Sequence, residues 1–309
     1  MTDIQKSIVK TLAYFSIFKH PLRIDELHKF LLFKECSLDE VKDEAVKLKE
    51  SKKIFEFDGF FQLEDKREWV EARIKGERIA SWFWEVAKFM AHVMKRFPFV
   101  RGIFVSGALA KWNISMRSDI DFFIITKRRR LWMARSLLIG FKKVFLLNKR
   151  KFFCLNYFIS DDHLEIEDKN IFTAIEIATL KPVFNLELYF EFMRANSWVR
   201  KFLPNYYVDG FPGSTVSERK SFFQMFSEKF FEGIFNRDGD LLDKFDIALM
   251  KKWERIWKVR YPNLTDEERD LMFRCRPYLS KAHPNNFQNF VLTNYDLKVH
   301  SIFTKWGVK

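Results

Sequence analysis

Two apolar runs on either side of a glycine turn constrain this chain more than any other stretch. Gly102 to Val105 leads into Ser106-Gly107-Ala108-Leu109-Ala110-Lys111, and Ser118-Asp119-Ile120-Asp121-Phe122-Phe123-Ile124-Ile125 follows. Period-two alternation predicts a strand on which Asp119 and Asp121 share one face while Ile120 and Phe122 enter the core. Two carboxylates on one face repel each other, and burial adds to the cost. A divalent cation between them removes the conflict, because hard cations such as Mg²⁺ take carboxylate oxygens and keep positions for substrate phosphates. Asp119 and Asp121 are therefore candidate metal ligands. The alternative is a strand bearing two solvated aspartates.

This pattern resembles the signature of the nucleotidyltransferase superfamily (the polymerase-beta-like fold), in which a strand and a Gly-Ser turn precede Asp-hydrophobic-Asp on the next strand. Gly107 stands for the motif glycine, Ala108 for the serine, Ala110 and Lys111 for a small-then-basic pair, and Ser118 to Asp121 for Ser-Asp-Ile-Asp. The resemblance covers residues 100–160, about a fifth of the chain. It implies transfer of a nucleoside monophosphate from a nucleoside triphosphate to an acceptor, with Asp119 and Asp121 as catalytic residues holding one or two Mg²⁺ ions. Ser106, Gly107, Ala108, Lys111, Ser118 and Asn156 are then nucleotide-binding residues, with Arg117 or the Lys127 cluster assisting. In some relatives a glutamate on a helix after the third strand activates the acceptor hydroxyl, and Glu176 takes that place.

Three departures carry a competing reading, a degenerate member that binds a nucleotide or a partner without turnover. Ala108 replaces serine, Asn156 falls where relatives often place a third carboxylate, and Asn113 to Met116 lacks the usual Gly and acidic residues. An amide offers an oxygen to a ligand but carries no charge and cannot act as a base. Asp161, Asp162 and Glu165, just past the third strand, are candidate substitutes, and His283 is a candidate acceptor-site group. The acceptor itself, whether small molecule, protein or RNA, is open.

Charge supports a polyanion partner. Net charge is +13, and residues 97–160 hold thirteen Lys and Arg against Asp119 and Asp121, a local +11. That excess is expected to surround the site and attract a triphosphate; the alternative is a basic solvated surface. Cys36, Cys154 and Cys275 show no metal spacing and read as free thiols. Neither a signal peptide nor a membrane span is evident, so a cytoplasmic protein without a membrane partner is expected.

The fold class expected is α+β, with a winged-helix-like domain at 1–65, a linker helix at 66–97, a small mixed-sheet nucleotidyltransferase core at 98–165 and a helical C-terminal region at 166–309. Ile4, Ile8, Leu12, Phe15 and Phe18 fall at helical spacing, Ile24 to Phe33 forms a second helix, and Ser37 caps a third. Asp58-Gly59 between two aromatic runs predicts a hairpin. The third helix carries Asp39, Glu40, Asp43, Glu44 and Glu50 against three lysines and no arginine. The phosphate backbone repels such a helix, so sequence-specific DNA binding is disfavoured. In the linker helix, Ile79, Trp82, Phe83, Val86, Phe89, Met90 and Val93 are expected to face the core. Helices are expected at Val216 to Phe235 and Leu241 to Arg260, turns at Pro204 to Ser214 and Arg237 to Asp240, and a loop at Ser280 to Asn289.

Overall fold

The computed structural model describes residues 1–148, 151–207, 222–235, 241–283 and 286–308. The chain is α+β, with one three-stranded and one six-stranded sheet. It begins with α1 (Asp3–Ser16), β1 (Leu22–Arg23), α2 (Ile24–Lys29), α3 (Leu38–Glu50), β2 (Phe55–Phe57) and β3 (Phe60–Gln62). Ser37 and Glu40 form a capping box at α3, each satisfying a free N–H of the other's backbone. Asp58 and Gly59 both take positive φ, as a tight hairpin turn requires. β3 pairs with β1 as well as β2. The second helix is shorter than its pattern suggests, ending at Lys29, and Phe33 donates its N–H to Phe202 at 2.8 Å.

Then come α4 (Arg67–Met94), β4 (Val100–Ser106), α5 (Gly107–Ala110), β5 (Asp121–Thr126), α6 (Leu131–Phe145), β6 (Cys154–Ser160), α7 (Ile171–Thr179), β7 (Lys181–Phe184) and α8 (Leu186–Ala195). A 3₁₀ turn (Ser197–Lys201), α9 (Phe222–Phe235), α10 (Leu241–Arg260), α11 (Asp266–Met272), β8 (Cys275–Arg276), β9 (Leu279–Lys281) and α12 (Phe287–Lys305) complete it. No helix among the described residues is long and apolar enough to cross a membrane.

The central sheet runs β7-β4-β5-β6-β9-β8, with β5 and β6 parallel and the other neighbours antiparallel. Both faces are covered, which explains its near-continuous apolar strands. Ile103, Val105, Phe122 and Ile124 pack with residues of α4 and α6, while Phe104, Phe123 and Ile125 share a core with α1, α7 and α8. Asp121 has the parity of Phe123, so its side of the sheet is the one that α1 and α7 cover.

Several expectations are corrected here. The region after residue 166 is not wholly helical, since β7, β8 and β9 extend the central sheet. These strands have two to four residues, too few to show a period. β7 also contains Pro182, tolerated because β7 is an edge strand. Part of the loop expected at Ser280 to Asn289 is β9, which pairs with β6 through Tyr157↔Lys281 and Ile159↔Leu279. On α4 the buried face is Ala80, Phe83, Trp84, Ala87, Ala91 and Met94, while Trp82 and Phe89 are exposed. The alanines let the helix approach the sheet closely, a use of small residues that an aromatic stripe conceals. Arg237 to Asp240, Pro284 and the segments 208–214 and 216–221 lie outside the described residues.

Arg73 on α4 joins the halves of the molecule. It is 1% exposed, donates from Nη2 to Glu26 at 2.7 Å and from Nε to Glu77 at 3.1 Å, and approaches His20 Nε2 to 2.5 Å through Nη1. The same Nη1 donates to the Lys111 carbonyl at 2.8 Å. Removing one partner of a buried ion pair leaves the other charge uncompensated. Arg73→Met is therefore expected to lower stability by about 3 kcal/mol in urea denaturation. An unchanged midpoint would show that these contacts add nothing.

Candidate functional site

The turn after β4 sets the geometry of the site. The β4–β5 ladder ends at the Ser106–Asp121 pair because the chain leaves the sheet at Gly107, whose φ is +66°. A Cβ at Gly107 would lie 2.6 Å from Asp121 Oδ2. Only glycine lets this turn press on the carboxylate while holding a left-handed conformation. Asp119 precedes β5 rather than lying within it, a correction that follows from the same early end of the ladder.

Ser106, Gly107, Ala108, Lys111, Asp119, Asp121, Asn156, Glu176 and His283 line one cavity of about 620 Å³ between the sheet, α1, α7 and the start of α12. They come from three strands, two helices and the segments joining them. Ser106 Oγ donates to the Asp121 carbonyl at 3.4 Å, and Asn156 Nδ2 donates to Asp121 Oδ1 at 3.2 Å. Lys111 Nζ donates to Glu176 Oε1 at 2.8 Å, so the basic residue of the turn and the helix glutamate form a pair across the cavity.

Ser118 does not line this cavity. Its Oγ accepts from the Ser115 N–H at 3.1 Å and closes the turn ahead of Asp119. Arg117 is exposed in that turn. The proposed substitutes for a third carboxylate lie at the wrong end. β6 runs parallel to β5, so Cys154 stands beside Asp121 and Ser160 beside Thr126. Five residues of strand span roughly 17 Å at about 3.3 Å each. Asp161 instead accepts the Arg128 N–H at 2.8 Å, Asp162 accepts from Ser160, and Glu165 pairs with Lys169.

The basic run Lys127 to Arg130 follows Thr126 and shares that far end. Arg129 and Arg130 pair with Asp243, Arg101 pairs with Glu228, and Arg135 is buried against the Trp253 ring at 4.1 Å. Of the described basic residues between 97 and 160, Lys111 alone lines the cavity. The expectation that the basic excess encircles the site is thus overturned.

Sequence reasoning missed the opposite wall. Tyr14, Phe15, Phe18 and His20 enter from α1 and the turn after it, and Phe172, Phe287 and Gln288 from α7 and α12. Asp168 and Lys281 also line the cavity, paired at 2.9 Å, with Arg274 adding 3.1 Å contacts to Asp168 and Glu167. Burial opposes ionisation of Asp168, but Lys281 and Arg274 outweigh it and hold the carboxyl below its usual value. A core-facing aromatic on a helix reads the same whether it meets another side chain or a cavity, so no local signal marked these residues.

Titration is strongly perturbed at this end of the sheet. Burial, reinforced by Asp119 and Glu176, pushes Asp121 up to about 6, against the opposing effects of the Cys154 thiol and Lys111. Burial and the Asp121 charge push Cys154 up to about 12, so it is a thiol rather than a nucleophilic thiolate at neutral pH. Burial, then Lys281, lowers His283 to about 4, and burial, then Arg73 and Lys111, holds His20 well below its ordinary value. Both imidazoles are neutral at pH 7.

No protein-family model matches the chain, and comparison with curated proteins and with solved structures found no match. Among the described residues no group of three or more His, Cys, Asp and Glu is arranged to hold a metal ion. The carboxylates that converge on this end of the cavity are Asp119, Asp121 and Glu176, and burial disfavours the ionised form of Asp121.

The raised Asp121 has a measurable consequence for the free protein. Its pKa is higher folded than unfolded, so its favourable contribution is complete below the unfolded value near 3.8 and is lost as pH rises through about 6. Asp121→Asn is therefore expected to stabilise the metal-free protein at pH 7 by about 3 kcal/mol, with the difference vanishing near pH 4. Paired urea melts across that range check it, and a variant less stable at pH 7 would contradict it.

Proposed function

We propose that this chain is a Mg²⁺-dependent nucleotidyltransferase that moves a nucleoside monophosphate from a nucleoside triphosphate to an acceptor. The observation that carries this reading is the contact at Gly107, where a glycine turn is folded onto a half-buried Asp121 beside Asp119 and Lys111. Such a turn brings a cation-binding pair and an ammonium group to the same place as its own backbone N–H groups.

Asp119 and Asp121 fit Mg²⁺ by donor chemistry, because they are hard oxygen ligands whose mutual repulsion a dication would relieve. When bound, the ion supplies neutralisation of the phosphate charge that develops during transfer. The chain's own residues then position the reactants. Lys111 orients a phosphate oxygen, the backbone N–H groups of Ser106, Gly107 and Ala108 serve the terminal phosphates, and the Ser106 hydroxyl replaces the one missing at Ala108. Glu176 accepts the proton of the attacking hydroxyl, with Lys111 holding its carboxylate in place.

The three N-terminal helices and hairpin are read as winged-helix-like, with a role other than DNA recognition. Tyr14, Phe15 and Phe18 of α1 line the cavity, while Asp39, Glu40, Asp43 and Glu50 of α3 are exposed. A second reading, nucleotide binding without turnover, draws on Asn156, whose amide donates to Asp121 Oδ1 where a third carboxylate would otherwise ligate metal.

Calorimetric titration with ATP, GTP, CTP and UTP, each with and without Mg²⁺, tests the proposal. At least one nucleotide is expected to bind only with Mg²⁺, and the double variant Asp119→Asn, Asp121→Asn is expected to lose that binding and any pyrophosphate release. Binding by the wild type should also weaken as pH falls through about 6, because a protonated Asp121 is no longer a ligand. Full nucleotide binding by the double variant would sink the assignment, and binding without pyrophosphate release, whatever the acceptor, would favour the second reading.

A further inference from the structure

Beyond the carboxylates the cavity opens into an aromatic chamber. Phe15 and Phe18 come from α1 and the turn that follows it, Phe172 from α7 and Phe287 from α12. The Phe18 and Phe287 ring centroids are 5.9 Å apart, those of Phe172 and Phe287 6.1 Å, and those of Tyr14 and Phe18 5.4 Å. Rings from three separated segments thus surround one space.

Tyr14 lines that space, is 0% exposed, and its hydroxyl has no hydrogen-bond partner among the described residues. Buried tyrosine hydroxyls normally find a partner, because leaving one unsatisfied forfeits its hydration without return. Burial, and then the charge of Glu176, hold this hydroxyl well above its ordinary pKa, so at neutral pH it is a donor. Among the other polar side chains of the wall, Gln288 accepts from Lys281 at 3.0 Å and Asn156 donates to Asp121 at 3.2 Å. An aromatic enclosure with an unpartnered phenol donor matches a ligand with an aromatic body and an oxygen.

We propose that this chamber holds the acceptor of the transfer proposed above, a small molecule with an aromatic body and one hydroxyl placed between the Tyr14 hydroxyl and the Glu176 carboxylate. This assignment rests on the nucleotidyltransferase reading. The cavity volume of about 620 Å³ lies within the range of small-molecule sites and serves both reactants. An RNA acceptor fits poorly, because Phe15, Phe18, Phe172 and Phe287 offer nothing to its phosphates. Tyr14 donates to the acceptor oxygen, and that oxygen's proton passes to Glu176. The oxygen forms a bond to the α-phosphorus of the nucleoside triphosphate, the bond from that phosphorus to the bridging oxygen breaks, and pyrophosphate leaves with the electron pair. Tyr14 is here a binding residue, conserved in shape but not in function by phenylalanine.

The probe is 2-naphthol, with naphthalene as the analogue lacking the hydroxyl, each titrated by fluorescence into the full chain and into Tyr14→Phe, with and without Mg²⁺-nucleotide. The wild type is expected to bind 2-naphthol about tenfold more tightly than naphthalene, and Tyr14→Phe to lose that preference. Nucleotide and 2-naphthol should occupy the protein together. Absence of 2-naphthol binding, or an unchanged preference in Tyr14→Phe, would overturn the proposal. Displacement of 2-naphthol by nucleotide would also overturn it and make the chamber the base subsite. If no nucleotide binds but the hydroxyl preference is present, the acceptor role falls with the transferase reading while the ligand class stands, so the two failures are told apart.

Discussion

The buried guanidinium of Arg73 is the contact on which the arrangement of this molecule turns. One side chain reaches His20 after α1, Glu26 on α2, Glu77 on its own helix and the carbonyl of Lys111. Its planar fork of donors can satisfy several acceptors at fixed angles, which an ammonium group cannot do. The consequence is geometric. The N-terminal helices are held against the segment that carries Lys111, so α1 becomes a wall of the cavity. Apolar packing continues the same union, with Tyr14 and Tyr295 rings 6.1 Å apart and one core running from α1 through the sheet to α12.

Inside the cavity the balance of charge is unusual. Asp119, Asp121 and Glu176 stand near one another, and Lys111 and Lys281 are the lysines in the lining, the latter engaged by Asp168. A protein gains no stability from holding Asp121 where burial raises it to about 6. Strain of this kind is retained where it serves binding or catalysis more often than elsewhere. That physical argument is what favours a ligand-handling role over a scaffold.

Part of this was legible in the sequence. Asp119 and Asp121 could be picked out because strand alternation is a local pattern with a physical cause, while Gly107, Lys111 and Asn156 were reached through the resemblance to a nucleotidyltransferase signature. Glu176 and His283 were reached by resemblance and by elimination, and they too line the cavity. Tyr14 and Phe287 were not legible, because their importance arises from helices meeting across a long sequence separation. β7, β8 and β9 were hidden by their shortness, and what stabilises them is the backbone of β4 and β6 that they pair with.

The basic run at Lys127 to Arg130 shows why charge counted along a chain differs from charge counted in space. Six residues of β5 carry the chain from Asp121 to Thr126, from one end of the strands to the other. Whatever follows that strand must emerge at the opposite end from whatever precedes it. Asp119, Ser106 and Asn156 belong to one end by this rule, and Lys127, Asp161 and Asp162 to the other. The parallel pairing of β5 with β6 applies the rule twice, excluding the acids after β6 from the site for the same reason as the bases after β5. With those acids excluded, Glu176 and Asp168 are the further carboxylates that line the cavity, and both arrive from the chain beyond β6. The site is therefore completed by segments far from its motif, which ties its chemistry to the packing of the whole molecule.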